Sequence, residues 1–149
     1  MPKKIDMDIR PYRSQDESEV VELWGKTVAD PAPHNDPVVA IRMKMAKDPE
    51  LFLVAVVNGA VVGTLMGGFD GHRGWLYALA VDPVHQRRGI ATALVRRLEQ
   101  LLKELGCLKI NLQVRGTNSG VIGFYESVGY SVENIISMGK RVYEEEGKA

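Results

Sequence analysis

An apolar strand that runs through a basic, glycine-bearing turn into a long amphipathic helix constrains this chain more than any other stretch. Residues 81–91 read Val81-Asp82-Pro83-Val84-His85-Gln86-Arg87-Arg88-Gly89-Ile90-Ala91. Before the turn, Trp75 to Val81 is nearly all apolar, which predicts a strand covered on both faces. After it, Ile90, Leu94, Leu98, Leu101, Leu102 and Leu105 form one stripe at helical spacing. Arg96, Arg97, Glu99, Lys103 and Glu104 fall off that stripe, and Gly106 reads as the helix's C-terminal cap. Strand, turn and helix in this order read as part of a fold that combines α and β elements.

The turn has the layout of a phosphate site at a helix N-terminus. The first helical turn leaves about four backbone N–H groups without intrahelical partners. Gly89 lets a ligand approach the backbone closely, and Ala91 is small for the same reason. Arg87 and Arg88 add charge-assisted hydrogen bonds to phosphate. A pyrophosphate-bearing cofactor is the ligand this layout suggests. A solvated basic helix start fits the same residues. There is no Gly-x-x-x-x-Gly-Lys-Ser/Thr, which argues against a P-loop NTPase, and the spaced glycines of a dinucleotide fold are missing.

The remaining elements follow from periodicity and breakers. Asp8 to Tyr12 alternates as a short strand, and Ser14 reads as an N-cap ahead of Val20, Leu23, Trp24 and Val28. Asp30 to Pro37 is a breaker loop, followed by a second helix carrying Val38, Ile41 and Met45 that Asp48-Pro49 stops. Leu51 to Val57 and Ala60 to Phe69 flank Asn58-Gly59, a strong hairpin signal. Lys109 to Val114 reads as a strand and Ser119 to Ser127 as a short helix. Tyr130 to Ile136 and Met138 to Val142 read as final strands, and Glu144 to Ala149 as a frayed tail. The order mixes hairpins with one β-α-β crossover, so the expected fold is α+β, with a mixed, mostly antiparallel twisted sheet flanked by about four helices. Residues 1–149 read as one domain.

Composition narrows the function classes. Lys plus Arg and Asp plus Glu number 19 each, so no global basic field recruits nucleic acid. The lone Cys107 allows neither an intrachain disulfide nor a multi-cysteine zinc cluster, and it reads as a small buried hydrophobe. No metal site is expected. No apolar run approaches the roughly 20 residues of a membrane helix, and Met1 to Asp6 has no secretory apolar core. The cytoplasm is the expected location.

A second motif follows one strand after the turn, from Asn118 to Tyr130. Val81-x4-Gln86-x-x-Gly89-x-Ala91 together with Asn118-x6-Tyr125-Glu126-x-x-Gly129-Tyr130 resembles the GNAT superfamily of acetyl-CoA-dependent N-acetyltransferases. The element order resembles that acyl-CoA N-acyltransferase fold over nearly the whole chain. The stretch Met66 to Gly74 is similar to a small bacterial branch of the superfamily.

The resemblance implies roles. The backbone of Leu79, Ala80 and Val81 would bond the pantetheine arm of acetyl-CoA, with an N–H near Leu79 or Ala80 serving the oxyanion. Amides of Arg88, Gly89, Ile90, Ala91 and Thr92 would hold the pyrophosphate, lined by Gln86 and Arg87. Asn118 would contact the cofactor. Tyr125 would be the catalytic acid that protonates the departing thiolate. Tyr125 also fits a core role beside Phe124 and Val128, and Tyr130 reads as core.

No carboxylate lies on Trp75 to Val81 or Lys109 to Val114, so the base is open among His72, Tyr77, Asp70 and water. His72 equally fits a loop-shaping role. His34-Asn35-Asp36 falls in the loop that shapes the acceptor pocket in this fold. The acceptor is expected to be a small-molecule or peptide amine, and the protein a monomer or homodimer. A non-catalytic acyl-CoA-binding sensor is the competing reading.

Overall fold

A computed structural model describes residues 6–27 and 33–143. Met1 to Ile5, Val28, expected on the first helix, the start of the expected breaker loop and the expected Glu144 to Ala149 tail lie outside the described residues. The chain divides into two compact units, one ending at Gln113 and the other beginning at Val114.

The first unit is a five-stranded sheet in the order β1 (Met7–Pro11), β2 (Phe52–Val57), β3 (Ala60–Phe69), β4 (Gly74–Val81), β5 (Ile110–Leu112). The first three pairings are antiparallel and β4–β5 is parallel, as a β-α-β crossover requires. Asn58 (φ 51°) and Gly59 (φ 78°) both take left-handed backbone, the geometry of a tight turn that matches strand twist.

Helices α1 (Glu17–Thr27) and α2 (Pro37–Lys47) carry Trp24 and Lys44 onto the sheet face that holds Thr64 and Gly68. Helix α3 (Ile90–Glu104) covers the opposite face. It lies so close that a Cβ on Gly67 would come within 2.7 Å of Leu98 and one on Gly63 within 3.0 Å of Ile90. Leu94, Leu98 and Leu102 are fully buried there, each contributing about 1.5–3 kcal/mol of hydrophobic stabilisation. The other face holds Tyr12 stacked on Phe52 at 4.5 Å, with Val20, Leu23, Trp24 and Ile41 around them. Cys107 is buried against Gly74, and its thiol donates to the Lys109 carbonyl, a packing role.

Several expectations are corrected. Ser14–Asp16 forms a 3-10 turn ahead of α1 and Ser14 does not cap the helix. Asp16 organises this corner, accepting from the Arg13 N–H and from both terminal nitrogens of Arg10. Leu105 is exposed because the helix has ended at Glu104, and Gly106 reverses the chain with φ 92°. Strand β5 is shorter than Lys109 to Val114 because its ladder with β4 ends at Leu76–Leu112. Trp75 to Val81 is not covered on both faces throughout, since Tyr77 is exposed where β5 departs.

The second unit contains α4 (Ser119–Ser127), capped by the Asn118 side chain on the Val121 N–H. Among the described residues, 130–142 contain no strand, and Val132, Ile135, Ile136, Met138 and Val142 stand exposed. The two final strands read from alternation are therefore absent from the described fold. Alternation orients side chains, but a strand also needs a neighbouring backbone to complete its ladder.

The Arg10–Asp16 pair gives a pH signature. Hydrogen bonds from Arg10 hold the Asp16 carboxyl below the ordinary carboxylate value, outweighing the opposing effect of burial. A depressed folded-state pKa stabilises the fold above the unfolded value and loses that contribution as pH falls through the folded one. Asp16→Asn is expected to cost about 1.5–3 kcal/mol at neutral pH, the range for hydrogen bonds to charged groups. The penalty should shrink below about pH 4, read from urea midpoints across pH.

Candidate active site

Strand β4 carries a bulge. Thr64 of β3 pairs with Ala80 and Met66 with Tyr77, so Ala78 and Leu79 together oppose Leu65. Ala78 takes φ 56°, a conformation that costs a non-glycine residue about 1 kcal/mol. A relay of two hydrogen bonds, the first of them buried, holds it there. The Trp24 indole N–H donates to the Thr64 hydroxyl at 2.9 Å, and that hydroxyl donates to the Ala78 carbonyl at 3.0 Å.

Beyond Leu76 the ladder to β5 stops, so residues 77–81 form an open strand edge within the first unit. The Asp82 N–H bonds the Val62 carbonyl at 2.8 Å. Ladder alternation then turns the peptide groups of Val81 toward that open edge. Gln86 donates to the Val81 carbonyl at 3.3 Å, so its side chain straps the turn to the strand.

The turn opens with Asp82 accepting from the Val84 N–H at 3.0 Å, which starts a 3-10 turn over Pro83–His85. Arg87 (φ 64°) and Gly89 (φ 81°) are both left-handed, and turns of this kind aim successive amides into an anion-binding concavity. Gly89 is the N-cap of α3 and supplies no side-chain cap. The Ala93 N–H closes onto the Gly89 carbonyl at 3.0 Å, so the amides of Ile90, Ala91 and Thr92 precede the helical ladder. Arg87 and Arg88 are exposed at its mouth.

Leu79, Ala80, Val81, Gln86, Arg87, Arg88, Gly89, Ile90, Ala91 and Thr92 thus lie along one continuous strand-turn-helix path. Asn118 and Tyr125 belong to the second unit. Tyr125 is 6% exposed, with its ring edge-on to Phe124 at 5.2 Å and to Tyr130 at 5.5 Å. Burial pushes its phenol up to about 12.

The base candidates separate on geometry. Asp70 accepts from the backbone of His72 (2.8 Å) and Arg73 (2.7 Å) and from the Trp75 indole (3.3 Å). These bonds, that from Arg73 first, hold its pKa below the ordinary value, which makes it a poor proton acceptor and a loop organiser. His72 sits exposed in the same turn. Tyr77 is exposed on β4 immediately before the bulge. Among the described residues, no three His, Cys, Asp or Glu side chains are gathered as a metal site. No described helix is long and apolar enough to cross a membrane.

Sequence reasoning missed Trp24, Thr64 and Lys44. Thr64 in the apolar run Val61 to Met66 was the available signal, because a buried hydroxyl needs partners.

The fold is that of acyl-transferring enzymes seen with coenzyme A. The PaiA N-acetyltransferase of Thermoplasma acidophilum, solved with coenzyme A, superposes with a TM-score of 0.74 at 20% identity, over 89% of this chain and 94% of that one. Ard1 of Thermoplasma volcanium gives 0.78 at 25% identity, over 87% and 85% of the two chains. In sequence, an acetyltransferase of Sodalis glossinidius, SG1711, is 48% identical across 94% of this chain and 99% of its own length. The acetyltransferase (GNAT) family model matches residues 13–130, and the chain belongs to that family. It is an N-acetyltransferase with acetyl-CoA as its donor.

Proposed function

We propose that the path from Leu79 to Thr92 grips acetyl-CoA and that the acetyl group passes directly to the amine of a small molecule or peptide. The observation that carries this reading is the uncapped start of α3 beside left-handed Arg87 and Gly89, continuous with the open edge of β4. Pyrophosphate suits amides that have no other partner, with Arg87 and Arg88 adding charge. Pantetheine carries amides of its own, which suit the open backbone edge of β4 from Leu79 to Val81. An N–H near Leu79 or Ala80 serves the oxyanion, its direction set by the bulge at Ala78.

By its motif position Tyr125 supplies the proton to the departing thiolate, and Asn118 supports the cofactor from the same motif. The Asn118 cap on α4 already gives that side chain a structural role. With Asp70 held as a weak base, the acceptor amine loses its proton to solvent. Activity therefore rises with pH toward the amine's own pKa. Residues 1–149 act as one N-acetyltransferase domain, located in the cytoplasm as a monomer or homodimer.

The test is thiol release from acetyl-CoA with amino acids, short peptides, polyamines and aminoglycosides. Release that depends on one class of amine supports the reading. Acetyl-CoA binding with no amine-dependent release across the panel overturns it.

A further inference from the structure

Lys44 of α2 is 6% exposed, yet it carries an ammonium. A buried charge requires partners, and this one has three. It donates to the Gly67 carbonyl, lies 3.7 Å from an Asp48 carboxylate oxygen, and sits 5.5 Å from the centre of the Tyr77 ring. The ammonium lies beside Gly68, where a Cβ would stand in ordinary contact with it at 3.8 Å.

The third partner is unlike the others. Tyr77 is 44% exposed although its strand neighbours Leu76 and Ala80 are buried. It stands at the first position where β4 has lost β5 and directly before the strained Ala78. A buried ammonium is therefore held against a ring whose remaining surface faces solvent, at the start of the open strand edge. Cation–ring attraction of this kind is strongest when the cation is desolvated, as here. It fixes a side chain that would otherwise change rotamer freely on an exposed edge.

We propose that Tyr77 is a specificity-determining wall of the acceptor site and that Lys44 is its positioning residue. The inference rests on the acetyl-transfer reading of the β4 edge. It also selects an acceptor class. The ring quadrupole already faces one ammonium, so the exposed part of the ring suits an apolar group better than a second cation. The acceptor is an amine flanked by an apolar group, and polyamines are poor acceptors.

The experiment measures both substrates' KM in wild type, Tyr77→Phe, Tyr77→Ala and Lys44→Arg, using the amine panel above. Tyr77→Ala is expected to raise the acceptor KM about tenfold and leave the acetyl-CoA KM within twofold. Tyr77→Phe keeps the wall and should retain kcat. Lys44→Arg retains a cation over the ring and should lie between wild type and Tyr77→Ala. An acceptor KM unchanged in Tyr77→Ala, a kcat lost in Tyr77→Phe, or a wild-type preference for polyamines overturns this proposal alone. A wild type that releases no thiol with any amine overturns it together with the acetyl-transfer reading.

Discussion

Tyr125→Phe should lower kcat about 10²-fold while the acetyl-CoA dissociation constant stays within twofold, the signature of a group used only in the transition state. Phenylalanine keeps the ring and its edge contacts with Phe124 and Tyr130, so the fold is preserved and only the proton is lost. Burial holds the phenol at about 12, so it carries its proton at every working pH. It is a weaker acid than a free phenol and lies about 3.5 units above a thiol near 8.5. If Tyr125 is the acid, its proton moves as the carbon–sulfur bond breaks and charge develops on the sulfur. Turnover should accordingly show no tyrosine-linked fall below about pH 11. A Phe variant with wild-type kcat would return Tyr125 to the core role its burial also allows.

Thr64→Val should destabilise the protein by about 2–4 kcal/mol despite conserving shape, because it leaves the buried Trp24 N–H unpaired at about 1–3 kcal/mol and removes a half-buried hydrogen bond worth about 1 kcal/mol. The Trp24 N–H would lose its acceptor and the Ala78 carbonyl its donor. At roughly 2–4 °C per kcal/mol for a chain this size, melting should fall by about 4–16 °C. The same change frees Ala78 from its left-handed conformation, so the acetyl-CoA KM should rise as the edge of β4 relaxes. Thr64→Ser keeps the hydroxyl and should recover most of both losses. A Val variant that melts within 2 °C of wild type would mean that the relay does not hold the bulge.

What the sequence made legible was local. Asn58-Gly59 specified a hairpin because two adjacent left-handed residues suffice to define that turn. The stripe from Ile90 to Leu102 specified which face of α3 is buried, and the turn before it announced its free amides without any tertiary information. The relay of Trp24, Thr64 and Ala78 was hidden because its members come from three elements and meet only when the sheet is assembled. The Lys44 ammonium was hidden for the same reason, since on α2 alone it reads as a solvated charge. Tyr130 to Val142 shows the converse, since side-chain alternation without a neighbouring backbone makes no strand there.

The most direct test of the central claim is an acetyl-CoA titration followed by backbone amide chemical shifts. The largest changes should fall on Arg88, Gly89, Ile90, Ala91 and Thr92, with a second group at Leu79 to Val81, and Arg88→Ala should weaken binding. Saturable binding that leaves those amides unmoved and shifts residues elsewhere would contradict the assignment of the strand-turn-helix path as the cofactor grip.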